Sequence, residues 1–144
     1  MLRVLIAIAA VAVGATTVIA QQDAIAARKA LMKATGGQTA VASKMVKGEE
    51  PFDLAKAKTV FTTYEDTATK MPALFTPDSK TGGDTAALPK IWENKADFEA
   101  RFTKFGADAK AAAAKTTDLD SFKAAFGDVT KNCGACHNEY RAKK

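Results

Sequence analysis

The sequence predicts an all-α chain folded as one antiparallel, up-down-up-down four-helix bundle. Three observations predict it. Apolar residues recur at three- and four-residue spacing in four separate segments after Gln21. Alanine is abundant, and no alternating or β-branched run reads as a strand. Two short connections and one longer one separate the segments, so consecutive helices fold back on one another.

The N-terminus precedes the bundle. In "MLRVLIAIAAVAVGATTVIAQQD", Arg3 is followed by an apolar run from Val4 to Val13 and by small residues up to Ala20. A basic start, a short apolar core and an A-x-A-like site read as a secretory signal peptide, residues 1–20, cleaved after Ala20. The competing reading is a membrane anchor over Leu2–Ala20, about the ~20 residues a span requires. Gly14, Thr16 and Thr17 interrupt that run. The mature chain, 21–144, then has 144 − 20 = 124 residues, enough for one domain with one core. Without Arg3 its formal charge is 20 − 16 = +4, spread along the chain. No basic-aromatic interleaving suggests nucleic acid, and after cleavage no stable membrane anchor remains.

The first helix is expected from Asp23 to about Lys47. Ile25, Met32, Thr39 and Val46 recur every seven residues beside Ala24, Leu31, Gln38 and Met45. Gly36-Gly37 weakens the middle, which predicts a kink or a close approach of backbone to something bulky. Gly48 and Pro51 end the segment. The second helix runs from about Phe52 to Lys70, with Leu54, Ala57, Phe61, Tyr64 and Ala68 on one face and Pro72 as its stop. A loop follows, "FTPDSKTGGDTAALPKIWEN", long for a compact domain; Trp92 is expected to pin its end. The third helix spans about Lys95–Lys115, with Phe98, Phe102 and Phe105 at i, i+4 and i+7. The fourth opens at "TTDLD", where Thr117 and Asp120 resemble a capping box, and continues to about Arg141. Phe122, Phe126, Val129, Cys133, Cys136 and Tyr140 form its seam.

Both cysteines of the chain and its single histidine stand together in "KNCGACHNEY", as Cys133, Cys136 and His137. Cys-x-x-Cys-His reads as a covalent c-type haem attachment site. On a helix these residues lie at i, i+3 and i+4 and project from one face. Two thiols add to the two vinyl groups of haem, and the adjacent imidazole reaches the iron. A disulfide between them would close a very small ring and brace little. Two other readings compete. Structural zinc needs four ligands and the chain offers three. A thioredoxin-like dithiol needs a helix N-terminus to lower its thiol pKa, and these cysteines sit far along the last helix.

The stretches "ALMKATGG", "KGEEPFD", "PKIW" and "CGACHNEYR", spread over nearly the whole mature chain, resemble the cytochrome c-prime family, and more narrowly its cytochrome c-556 branch. The resemblance implies one covalently bound haem c, with Cys133 and Cys136 as thioether sites and His137 as proximal iron ligand. It implies redox partner proteins and, as in many cytochromes c-prime, a homodimer. In the c-556 type a first-helix methionine is the sixth ligand; four residues on from Arg28, that residue is Met32. In the high-spin type an apolar or aromatic residue blocks the sixth position, and NO and CO bind.

Bundle geometry supports Met32 independently. The start of the first helix lies beside the end of the fourth, with Met32 roughly 14 Å from Asp23 and His137 about 6 Å from Arg141 at ~1.5 Å per residue. Met45 lies about 20 Å beyond Met32. Met71 is the rival, expected near the rim. Met32 as ordinary core filler is the plain alternative. Arg28 is a candidate haem-propionate contact, with a solvated arginine as its alternative.

The sequence therefore predicts a periplasmic monohaem cytochrome that carries single electrons and is not an enzyme. One alternative is a five-coordinate, gas-binding cytochrome c-prime. Another, of a different class, is a dithiol-disulfide oxidoreductase without haem.

Overall fold

The computed structural model describes the backbone over residues 2–143 and side chains over residues 21–143. The expected signal peptide and its cleavage site thus lie outside the described side chains. Helix α1 spans Leu2–Lys47 and so starts upstream of the Asp23 expected from periodicity. No proline stands between Leu2 and Lys47 to stop it. It ends in a Schellman motif: Gly48 takes φ +75°, its N–H bonds to the Met45 carbonyl (3.2 Å), and the Glu49 N–H bonds to that of Lys44 (2.9 Å). The helix runs without interruption through Gly36-Gly37, and a Cβ at either would meet nothing within 4 Å, so among the described residues none makes the close approach expected there.

Helix α2 spans Leu54–Lys70, capped by Asp53, whose carboxylate accepts the Lys56 N–H at 2.9 Å. Leu54, expected on the buried face, is 38% exposed. It is the first residue after the cap, beyond the cover of the neighbouring helices. Ala57, Val60, Phe61, Tyr64, Thr67 and Ala68 are buried instead. Two 3₁₀ turns, Pro72–Leu74 and Pro77–Lys80, and a one-turn helix α3, Lys90–Glu93, organise the long connection. The Trp92 indole N–H donates to the Thr76 carbonyl (3.0 Å) and its ring meets Phe75 at 5.7 Å, the pin expected from sequence.

Helix α4, Lys95–Lys115, has the predicted bounds and buries Phe98, Phe102 and Phe105. Helix α5 spans Leu119–Tyr140. Its cap is Asp118, one residue later than the Thr117 expected. The Asp118 carboxylate accepts the Ser121 N–H at 2.8 Å, and Ser121 Oγ accepts the Asp118 N–H at 3.0 Å. Asp118 is extended, so its side chain can turn back over the first turn.

Helices α1, α2, α4 and α5 form an antiparallel four-helix bundle. α2 packs most extensively on α4, α1 on α2, and α4 on α5; the α1–α5 seam is the least filled. Aromatic side chains connect the layers: Phe61 and Phe52 meet Phe122 at 5.6 and 5.8 Å, and Phe98 meets Phe75 and Tyr140 at 4.6 and 5.2 Å. Full burial of each such ring contributes roughly 1.5–3 kcal/mol. The buried stripe of α1 is Ile25, Arg28, Thr35, Ala42 and Met45: Ile25 and Met45 belong to the two series expected, and Arg28, Thr35 and Ala42 lie between those series on the helix surface.

At the loop end of the bundle, the Leu88 N–H bonds to the Tyr140 carbonyl (3.0 Å) and the Ala142 N–H to that of Ala86 (2.8 Å). This isolated antiparallel bridge ties the long connection to the end of α5.

Candidate haem attachment site

Cys133, Cys136 and His137 are half-buried on the second half of α5, at the i, i+3, i+4 spacing the sequence predicts. Both cysteines are free thiols. Cys133 lies near Tyr64 of α2, and Cys136 near Arg101 and Asp97 of α4. Burial pushes both thiols above their ordinary pKa; at Cys136 the Arg101 charge partly opposes this. Burial, helped by the positive charge of Arg141, holds His137 below its ordinary value.

The segment is gripped from α4. Arg101 Nη1 donates to the Ala135 carbonyl at 2.9 Å, and its Nε donates to Asp97 at 2.7 Å. Asp97 also accepts the Tyr140 hydroxyl, and Asn132 Nδ2 donates to Asp108 at 2.8 Å. Lys90, at the start of α3, pairs with Glu139. These bonds fix the height and rotation of the turns that carry the thiols and the imidazole. This grip is not legible in the sequence, because apart from the i,i+4 pair Arg101–Asp97 its bonds join residues far apart in the chain.

Met32 is half-buried and packs against the core. Met45 is buried near the α1–α2 turn, at the opposite end. Met71 is not near an open rim: it is 1% exposed, because the 3₁₀ turn after it covers the end of α2. Four residues beyond Thr67, whose hydroxyl meets that of Thr35, it lies at the level of Leu31 and Met32.

Arg28 is not a solvated arginine. It is 5% exposed, Nη1 donates to Ser79 Oγ (3.1 Å) and the Leu74 carbonyl (3.4 Å), and Nη2 donates to the Ser79 carbonyl (3.1 Å). Its guanidinium stands over the Phe75 ring at 4.4 Å, and desolvation lowers its pKa. Lys29 pairs with Asp84, and the Gln21 amide reaches the Thr81 carbonyl. Residues 21–29 of α1 therefore lie against the connection 74–88, which also bonds to the end of α5.

This donor set fits a covalently held haem. Two half-buried thiols whose burial favours the protonated form and an imidazole whose burial favours the neutral form share one helix face. It does not fit the competing readings. Among the described residues no group of three or more His, Cys, Asp or Glu side chains could hold a metal ion by itself. The thiol pKa values are raised, opposite to what a dithiol oxidoreductase needs.

A four-helix bundle bearing Cys-x-x-Cys-His near the end of its last helix defines a bundle-type c cytochrome. The chain belongs to the cytochrome c' family, whose model matches residues 23–141. It is 48% identical over 134 residues to a cytochrome c' of Rhodopseudomonas palustris, covering 93% of this chain and 92% of that one. A cytochrome c-556 of the same strain is 35% identical over 149 residues, covering 100% and 99%. The structure of the cytochrome c' from Rhodopseudomonas palustris superposes with a TM-score of 0.82 at 50% identity, covering 85% of this chain and 98% of that one. The cofactor is one covalently bound haem c.

Proposed function

We propose that the protein is an exported, periplasmic one-electron carrier rather than an enzyme, with His137 and Met32 as the residues that would hold the haem iron. When bound, the haem supplies a single reversible one-electron centre. Cys133 and Cys136 contribute the thioether sulfurs, and His137 contributes a neutral imidazole nitrogen, the form its lowered pKa favours. Met32 contributes a thioether, which raises the reduction potential.

The observation that carries this reading is a match of levels. Loop 74–88 touches Arg28 of α1 and the Tyr140–Ala142 end of α5. Met32 lies four residues into the bundle from Arg28, and His137 four residues in from Arg141, about 6 Å each. α1 packs directly on α5, whereas α2 packs chiefly on α4 and α1, which favours Met32 over Met71 on α2. Arg28 has five N–H groups, more than its three named bonds use, and remains a candidate partner for a propionate.

The relative at 48% identity is a cytochrome c' and the one at 35% a c-556, which supports a second reading. There Met32 stands aside and a diatomic gas takes the sixth position. A visible spectrum of the reduced protein, with and without CO, separates the two. Low-spin haem that resists CO supports the carrier; high-spin haem that binds CO freely supports the gas binder.

A further inference from the structure

The face of α1 that bears Met32 is polar where a bundle helix is ordinarily apolar. Arg28, Met32, Thr35 and Thr39 stand at i, i+4, i+7 and i+11, so they form one stripe. Each polar member is bonded to another element. Arg28 holds Ser79 and Leu74. Thr35 Oγ1 lies 3.0 Å from Thr67 Oγ1, and Thr39 Oγ1 lies 2.7 Å from the Tyr64 hydroxyl. Thr39 also donates to the Thr35 carbonyl at 2.9 Å, so in that arrangement the Tyr64 hydroxyl donates to Thr39. The sites are buried: Thr35 is 7% exposed, Thr67 1% and Tyr64 0%.

We propose that the Thr35–Thr67 hydroxyl pair, backed one turn deeper by Thr39–Tyr64, is a positioning device that holds Met32 at its ligating height and rotation. The proposal rests on the reading of Met32 as the distal ligand. Valine at 35 and 67 would fill the same space, so packing does not require hydroxyls there. A hydrogen bond adds what packing lacks, a direction and a short distance. A shift of one residue along α1, about 1.5 Å of rise and 100° of rotation, would break both hydroxyl bonds. Met32 lies three residues from Thr35 and four from Arg28, between two fixed points of the same face. Met32 is only half-buried, and a methionine side chain has three rotatable bonds, so packing alone restrains it less than a fully buried residue.

The test is the holoprotein with Thr35→Val and Thr67→Val together. Removing both partners at equal volume leaves no orphaned hydroxyl, so the unfolding midpoint should stay close to wild type. The fraction of ferrous haem with Met32 detached should rise about fivefold, the weight of one buried hydrogen bond. It is read as a high-spin component and as a matching gain in CO association rate. Thr35→Ser with Thr67→Ser keeps the hydroxyls and should restore both readouts. If the double valine chain does not accumulate, Thr67→Val alone should move the same two readouts in the same direction. A low-spin wild type whose valine variant keeps its spectrum and CO rate overturns the proposal alone. A wild type that is already high-spin overturns the Met32 reading, and the proposal with it.

Discussion

Replacing Met32 and Met71 by alanine, one at a time, separates a ligand from a packing residue. The two methionines lie at the same level of the bundle, so level cannot choose between them. Their burial differs. Met71 is 1% exposed, and its truncation should cost the full ~2–5 kcal/mol of a buried Met→Ala change. For a domain of this size that lowers the melting temperature by roughly 6–25 °C, at about 3–5 °C per kcal/mol. Met32 is half-buried, so its truncation should remove about half as much packing, ~1–3 kcal/mol. Loss of the iron bond adds to that. The spectra should move the opposite way. Met71→Ala keeps a low-spin ferrous spectrum in a less stable protein. Met32→Ala becomes five-coordinate and high-spin, binds CO rapidly and has a lower reduction potential. The assay is a visible spectrum and a thermal melt on each variant. If Met71→Ala changes the spin state and Met32→Ala does not, the assignment is wrong.

Cys133→Ser with Cys136→Ser should leave a chain whose haem is extracted by acidified acetone; a pigment that stays with the protein would contradict thioether attachment. Gly36→Ala with Gly37→Ala should stabilise the protein by about 1 kcal/mol per site, since both are helical with open space around the added methyl. A drop in melting temperature would reveal a contact with another molecule at that face. Burial raises the Tyr64 hydroxyl from 10.0 to about 12, so the fold favours the protonated phenol. That contribution is present in full below pH 10 and is lost as the pH rises from 10 to 12. Two pKa units amount to about 2–3 kcal/mol. Tyr64→Phe should therefore cost ~1 kcal/mol at neutral pH and flatten the alkaline loss relative to wild type, measured by urea unfolding. An unchanged slope above pH 10 would refute it.

Much of the site was legible because its signal is local. Cys133, Cys136 and His137 sit within two turns, and their chemistry follows from spacing alone. Helix ends marked by Gly48, Pro72 and Lys115 were legible for the same reason. The Asp118 cap was misjudged by one residue because Thr117, Asp118 and Asp120 are all chemically able to cap, and only the backbone decides. Arg28 was not legible as a buried residue: its partners, Leu74 and Ser79, come from a loop 46 and 51 residues away. Thr35 and Thr67 are 32 residues apart, and each alone reads as a neutral interruption of an apolar stripe. In the sequence Met71 reads as a rim residue, because the 3₁₀ turn that follows it has no helical periodicity.

A low-spin haem iron held by His137 and Met32 is tested most directly by the visible spectrum of the dithionite-reduced wild-type protein before and after CO. Sharp low-spin α and β bands that CO leaves largely unchanged on mixing are expected. A broad high-spin spectrum that CO converts at once would contradict that ligation.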